Sequence, residues 1–276
     1  MASTRQPPPE ALFVLGGISQ YLGAATAVGL FSQIAPASVA LLRVFAASLI
    51  LIGFRRSWRR AWNKQDILWA GAFGVVLASM NLLIYLAMDR LPLGNAVAME
   101  FLGPVAVAAI GARTIRSTLA LILAASGVLI LVGLQSEGTS LGVVFALLAG
   151  AMWAGYIVLG HRVARDGPAV DGLGVGMFIG ALVISPFGIG GVGDAFTSPG
   201  LLGLALATGL LSNVVPYGID QVVMKKITRA RFALLQALLP VTAVVIGFLA
   251  LSQSPSVAEC CGIGAVMLAI AVSGTE

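Results

Sequence analysis

The chain has 276 residues, of which 59% are hydrophobic and 10% charged, against about 25% charged in an ordinary water-soluble domain. So little charge cannot cover a solvent-facing surface of this size, and most of that surface must face lipid. The formal net charge of +5 comes from basic residues dispersed over short loops, which excludes a nucleic-acid-binding patch and makes charge a guide to membrane topology.

A bilayer core about 30 Å thick takes roughly 20 apolar residues per helix. Ten such stretches follow one another: 11–30, 36–54, 66–88, 94–112, 116–134, 141–160, 171–189, 199–220, 231–251 and 257–274. The first follows Arg5 and the prolines Pro7, Pro8 and Pro9, and Ala35-Pro36-Ala37 after it resembles a signal-peptide cleavage site. The apolar core of a signal peptide is only about 7–15 residues long, so the stretch is read as an uncleaved membrane helix. Trp58, Trp62 and Trp69 flank one boundary as interfacial belt residues.

Lys and Arg alternate from gap to gap. Arg5, Arg55, Arg56, Arg59, Arg60, Lys64, Arg113, Arg116, Arg162, Arg165, Lys225, Lys226, Arg229 and Arg231 fall on one side, fourteen of the sixteen basic residues. Arg90 is on the other side and Arg43 lies inside a helix. The positive-inside rule makes the rich side cytoplasmic and places both termini there.

Dividing ten helices at the loop around Glu137 leaves five in each half. Because five is odd, the second half crosses the membrane in the opposite sense, which is the inverted-repeat architecture of transporters. The expected fold is therefore an all-α membrane protein of ten transmembrane helices, in two five-helix repeats over 11–134 and 141–274. Residue echoes agree: Asn81 and Tyr85 match Asn213 and Tyr217, and Glu100 and Pro104 match Gln236 and Pro240.

An ionisable side chain inside a membrane helix costs about 2.5–3.5 kcal/mol on insertion scales and marks a functional candidate with a partner. Arg43 and Glu100 lie on codirectional helices, each about 10 Å below the helix start at about 1.5 Å per residue, so a buried Arg43–Glu100 ion pair is expected. Gln20, Tyr21, Asn81, Tyr85, Trp153, Tyr156, Asn213, Tyr217 and Gln236 join Glu100 as candidate substrate-binding residues. From position along their helices, Asn81 and Tyr85 are expected to border the outer half of a central cavity, and Asn213 and Tyr217 the inner half.

Other signals carry no chemistry. Gly188-Ile-Gly190-Gly-Val-Gly193 fits a dinucleotide pattern but follows a membrane helix rather than a strand, and no G-x-x-x-x-G-K-[ST] occurs. The sole histidine, His161, is expected at a solvated helix end, and the adjacent Cys260 and Cys261 face lipid or a neighbouring helix. Gly176 and Gly180 form a close-packing surface; Pro104, Pro186, Pro216 and Pro240 mark kinks. No metal site, cofactor or enzyme activity is expected.

In the stretches 40–54, 80–108, 150–169 and 212–226 the chain resembles the EamA-type drug/metabolite transporters, and among them the threonine/homoserine exporter branch. The carrying sequences include ALLRVFAASLILIGF, MNLLIYLAMDRLPLGNAVAMEFLGPVAVA, GAMWAGYIVLGHRVARDGPA and SNVVPYGIDQVVMKK. The resemblance implies proton-driven efflux of small amino acids or related metabolites across a bacterial inner membrane, with Arg43, Glu100, Trp153 and Tyr156 at matching positions. Members of the family commonly end helix nine with Leu-Gly-Glu, where this chain has Leu251-Ser252-Gln253, so a coupling role for that glutamate does not carry over. A broad drug or toxic-cation effluxer and a passive channel are the alternatives; specific substrate, coupling ion and oligomeric state are left open.

Overall fold

The computed structural model describes residues 9–112, 114–133, 140–227, 232, 236 and 238–273. Arg5, Pro7, Pro8, Arg113, Glu137, Arg229 and Arg231 lie outside the described residues. The described chain is helical throughout: α1 (Pro9–Leu30), α2 (Pro36–Arg55), α3 (Lys64–Met88), α4 (Leu93–Glu100), α5 (Leu102–Ala112), α6 (Ile115–Gly133), α7 (Ser140–Asp166), α8 (Ala169–Gly188), α9 (Val192–Ala195), α10 (Pro199–Gly209), a π-helical turn (Leu210–Val214), α11 (Val215–Lys226), α12 (Leu238–Leu251) and α13 (Val257–Ser273). Among the described residues, six continuous helical stretches are long and apolar enough to cross a membrane, and four shorter apolar helices fall at the remaining expected stretches. The protein is a membrane protein, and large apolar side chains such as Phe54, Phe187, Leu249 and Val257 are left on its outer surface.

Local chemistry sets the ends of these helices. Pro36 and Pro199 open α2 and α10 at the first turn, where a missing N–H costs no helical bond. Ser198 Oγ accepts from the Gly200 and Leu201 amides, and Asn63 Oδ1 accepts from the Asp66 amide at 2.7 Å. Ser256 and Glu259 form a reciprocal capping box at the start of α13.

Proline sets the interruptions. The ring of Pro104 cannot accept a helical neighbour at the carbonyl four residues back, that of Glu100, and the fourth stretch breaks at Phe101 into α4 and α5. Pro216 likewise follows the π-turn, which divides the eighth stretch. At Pro186 the helix continues, because Ser185 Oγ donates at 2.8 Å to the Leu182 carbonyl that the proline leaves without its usual partner.

Close packing joins the two halves of the chain. α2 and α8 run side by side, tied at one end by Ser38 Oγ donating to the Gly188 carbonyl at 2.6 Å. Their other end is tied by Asp171, which accepts from Ser57 Oγ at 3.0 Å and pairs with Arg55 at 3.2 Å. α3 packs against both α7 and α8, α1 against α10, the π-turn, α11 and α12, and α6 against α13. Gly176 and Gly180 lie directly against Ala70 and Gly74 of α3, as their spacing predicts, and Gly150 of α7 lies against the backbone at Glu100.

A side chain at Gly74 would overlap the backbone of Gly176, whereas one at Gly29 meets nothing within 4 Å. Overpacking costs about 1–3 kcal/mol, and more where backbone must move. Gly74→Val is therefore expected to lower the thermal stability of detergent-purified protein sharply while Gly29→Ala leaves it unchanged. Equal melting of the two variants on size-exclusion thermostability curves would contradict this helix contact.

Candidate functional site

Arg43 is the eighth residue of α2 and is 3% exposed. Its Nε donates to Asn213 Oδ1 at 2.7 Å, and its Nη2 donates to Asn81 Oδ1. The guanidinium carbon lies 4.2 Å from the centroid of the Tyr85 ring, a cation–π contact worth more once water is excluded. Asn81 is held in turn, its Nδ2 donating to the Leu77 carbonyl at 2.7 Å and to Tyr217 Oη at 3.3 Å. Asn213 reaches the guanidinium from the π-turn, which Ser19 and Ser212 pin to α1: Ser19 Oγ donates to the Leu211 carbonyl and Ser212 Oγ to the Gln20 carbonyl. Gly209 permits this approach, since a Cβ there would lie 2.8 Å from the Arg43 carbonyl oxygen.

Beside this cluster is a cavity walled by α1, α2, α3, α4, α7 and α11 together with Gln236 and Leu239 of the ninth stretch. Gln20, Tyr21, Tyr85, Glu100, Trp153, Tyr156, Tyr217 and Gln236 line it, as does Arg43. Phe13, Met80 and Leu239 supply apolar wall. The Trp153 ring meets Phe101 edge-on at 4.7 Å, which fixes the indole beside the break after Glu100. Asn81 and Asn213 do not line the cavity. They stand behind it and hold Arg43.

Three expectations change. The direct Arg43–Glu100 ion pair is not among the ion pairs of the described residues; both charges border one cavity, but Arg43 Nε and Nη2 are turned to the asparagines. Asn81 and Asn213 do not sit in opposite halves, because both reach the same guanidinium. His161 is buried at 2% exposure with its ring edge-on to Phe232 at 6.1 Å, since α7 runs on to Asp166 and leaves His161 more than a turn inside the helix. Cys260 and Cys261 are exposed, as expected. Trp58 is exposed, while Trp69 lies under the Arg162 guanidinium at 4.0 Å.

The sequence reading missed Asp220. It lines the cavity, is 9% exposed, and its Oδ2 accepts from Tyr156 Oη at 2.9 Å. By hydropathy the eighth stretch ends at residue 220, which makes this aspartate a boundary residue, whereas α11 continues to Lys226. A signal was present: Asp220 is the one acidic residue between Asp194 and Glu259. No group of three or more His, Cys, Asp or Glu suited to a metal occurs among the described residues.

A hydrogen bond to a charged group contributes about 1.5–3 kcal/mol, and leaving a buried charged donor without its acceptor costs at least as much. Asn81→Ala and Asn213→Ala are each expected to destabilise the protein by that amount, and to cost far less in an Arg43→Gln background. Equal costs in the two backgrounds, measured as a double-mutant cycle on thermal unfolding, would show that the asparagines serve something other than Arg43.

The model of the EamA-like transporter family matches residues 140–275. The threonine/homoserine exporter RhtA of Escherichia coli (strain K12) is 34% identical over 265 residues, covering 95% of this chain and 89% of that protein. RhtA of Salmonella typhimurium (strain LT2) is 34% identical over 259 residues, covering 91% and 87%. A solved crystal structure superposes with a TM-score of 0.65 over 95% of this chain and 96% of its own, at 18% identity, which shows a shared fold. With 34% identity to these exporters over more than nine-tenths of its length and the family model matching its second half, the chain belongs to the EamA-like transporter family and is a transporter, not an enzyme.

Proposed function

We propose that this protein is a secondary exporter of small amino acids or related metabolites, of the threonine and homoserine kind, working by alternating access across a bacterial inner membrane. The observation that carries the reading is the buried cavity, bounded by helices from both halves of the chain and holding one fixed guanidinium, two carboxylic side chains and aromatic walls. A small solute bearing both charges fits that lining. A purely cationic drug fits it less well, because it brings no negative group to the Arg43 guanidinium, which two asparagines hold at the wall. The two relatives named as threonine/homoserine exporters support the same substrate class.

Helix packing supports ten spans in two inverted repeats, 11–134 and 141–274. Exchanging each stretch with its counterpart five places on maps the most extensive contacts onto one another. The α3–α7 contact corresponds to that of α1 with α10, the π-turn and α11. The α3–α8 contact corresponds to α2 with α10, and the packing of α4 and α5 on α7 to that of α12 on α1. α2–α8 and α6–α13 map onto themselves. A cavity at the interface of two such repeats is where a rocking carrier binds its cargo. The basic residues support cytoplasmic termini, and proton coupling is the driving force proposed.

The test is flux. Protein in proteoliposomes is expected to move radiolabelled threonine or homoserine against its gradient when a pH gradient is imposed, and to carry out exchange without one. Flux that follows only the solute gradient, with no effect of pH and no exchange, would instead support a channel. For orientation, in a variant freed of Cys260 and Cys261, a cysteine at Arg60 is expected to resist an impermeant reagent applied to whole cells and one at Thr197 to react. The reverse pattern would invert the topology and the direction of transport with it.

A further inference from the structure

The cavity contains a second ionisable wall. Asp220 is nine-tenths buried in α11, and Tyr156 Oη from α7 fixes one of its oxygens at 2.9 Å. On the same stretch of chain, two turns earlier, Asn213 holds the Arg43 guanidinium. At about 1.5 Å per residue the separation along the helix axis is about 10 Å. Tyr217 lies between them, with its hydroxyl accepting from Asn81 and its ring centroid 5.5 Å from that of Tyr156. The residue that holds the positive group and the residue that bears the negative one thus stand about 10 Å apart along one helical stretch, and Arg43 and Asp220 both line the cavity. An α-amino acid zwitterion spans about 3 Å between nitrogen and carboxylate and, with a hydrogen bond of about 2.8 Å at each end, reaches about 8–9 Å. Of the guanidinium donors, Nε and one Nη2 hydrogen are taken by the asparagines, which leaves the Nη1 edge for an anion.

We propose that Asp220 is the ammonium-binding pole of the substrate site and Arg43 its carboxylate-binding pole, so that the cavity selects zwitterionic α-amino acids over solutes carrying only one of the two charges. This rests on the amino-acid exporter reading. A further observation points to a polar ligand: Gln236, 1% exposed, lines the same cavity with both its amide oxygen and nitrogen lacking a partner among the described residues, and buried amides are ordinarily satisfied. Its place on the wall suits a hydroxyl on the bound side chain. Tyr156 is a positioning residue, holding the Asp220 carboxylate towards the cavity.

The experiment is equilibrium binding to purified protein of L-threonine, of its deaminated analogue 2,3-dihydroxybutanoate and of threonine amide. Wild-type protein is expected to bind threonine at least about tenfold more tightly than either analogue, since a charge-assisted hydrogen bond of about 1.5–3 kcal/mol corresponds to a factor of about ten or more. Asp220→Asn should lose that preference over the deaminated analogue while still preferring threonine to its amide, and Arg43→Gln should do the converse. Tyr156→Phe should weaken threonine a few-fold without weakening the deaminated analogue, and it keeps the inference testable if Asp220→Asn does not fold. Glu100→Gln should keep the preference for threonine over the deaminated analogue. Undiminished preference in Asp220→Asn or Tyr156→Phe, or its loss in Glu100→Gln instead, would overturn the assignment. Wild-type protein that binds no amino acid would overturn the exporter reading and this inference together, an outcome distinct from wild-type binding that the Asp220 and Tyr156 variants retain.

Discussion

The burial of one guanidinium organises this molecule. A charged side chain among membrane helices must find partners within the protein, and Arg43 finds them on two others: Asn81 of α3 and Asn213 of the π-turn, with the Tyr85 ring beneath. These partners come from both halves of the chain, so the requirement to satisfy Arg43 also fixes how the halves meet. The geometry behind it follows the same need. The π-turn presents Asn213 to Arg43, Pro216 follows that turn, and Gly209 lets it approach the α2 backbone.

A guanidinium held in this way is a fixed charge and not a mobile one. Held from behind by two amides, it offers its remaining edge to the cavity. The acidic groups are set differently. Glu100 is the last residue of α4, at the break caused by Pro104, while Asp220 stands on an unbroken stretch of α11 with Tyr156 donating to it. One carboxyl therefore lies at a joint in the helix framework and the other on a continuous helix, a distinction that gives them different mechanical surroundings within a single cavity.

Packing around the cavity is equally selective. Where α3 meets α8, and where α7 meets the break after Glu100, glycines allow backbone to touch backbone. In lipid, van der Waals packing and interhelical hydrogen bonds replace the hydrophobic drive between helices. Beside those around Arg43 and Asp220, several hydrogen bonds that join elements are placed at ends and breaks: Ser38 to Gly188, Ser57 and Arg55 to Asp171, Ser19 and Ser212 across α1 and the π-turn. α2 and α8 are tied at both ends and so form one stiff pair running through the bundle.

The sequence by itself determined the membrane class, the places of the apolar helices and the presence of Arg43 and Glu100 inside them, because length, hydropathy and the position of a charge are properties of single segments. It also picked out the polar residues that line the cavity, Asp220 excepted, together with the two asparagines that stand behind it, since an amide or phenol in an apolar helix has few other uses. Direction of pairing was a matter for tertiary structure. Equal depth on codirectional helices made Arg43 and Glu100 plausible partners, yet depth says nothing of rotation about the helix axis, and Arg43 turns its donors to the asparagines instead. Position along a helix separated Asn81 from Asn213, whereas the packing of α3 and the π-turn on α2 brings both to one guanidinium. Asp220 shows the same limit from the other side: it looked like a helix end while hydropathy alone set the boundary, and only the continuation of α11 to Lys226, packed beside Tyr156, carried its carboxylate into the cavity.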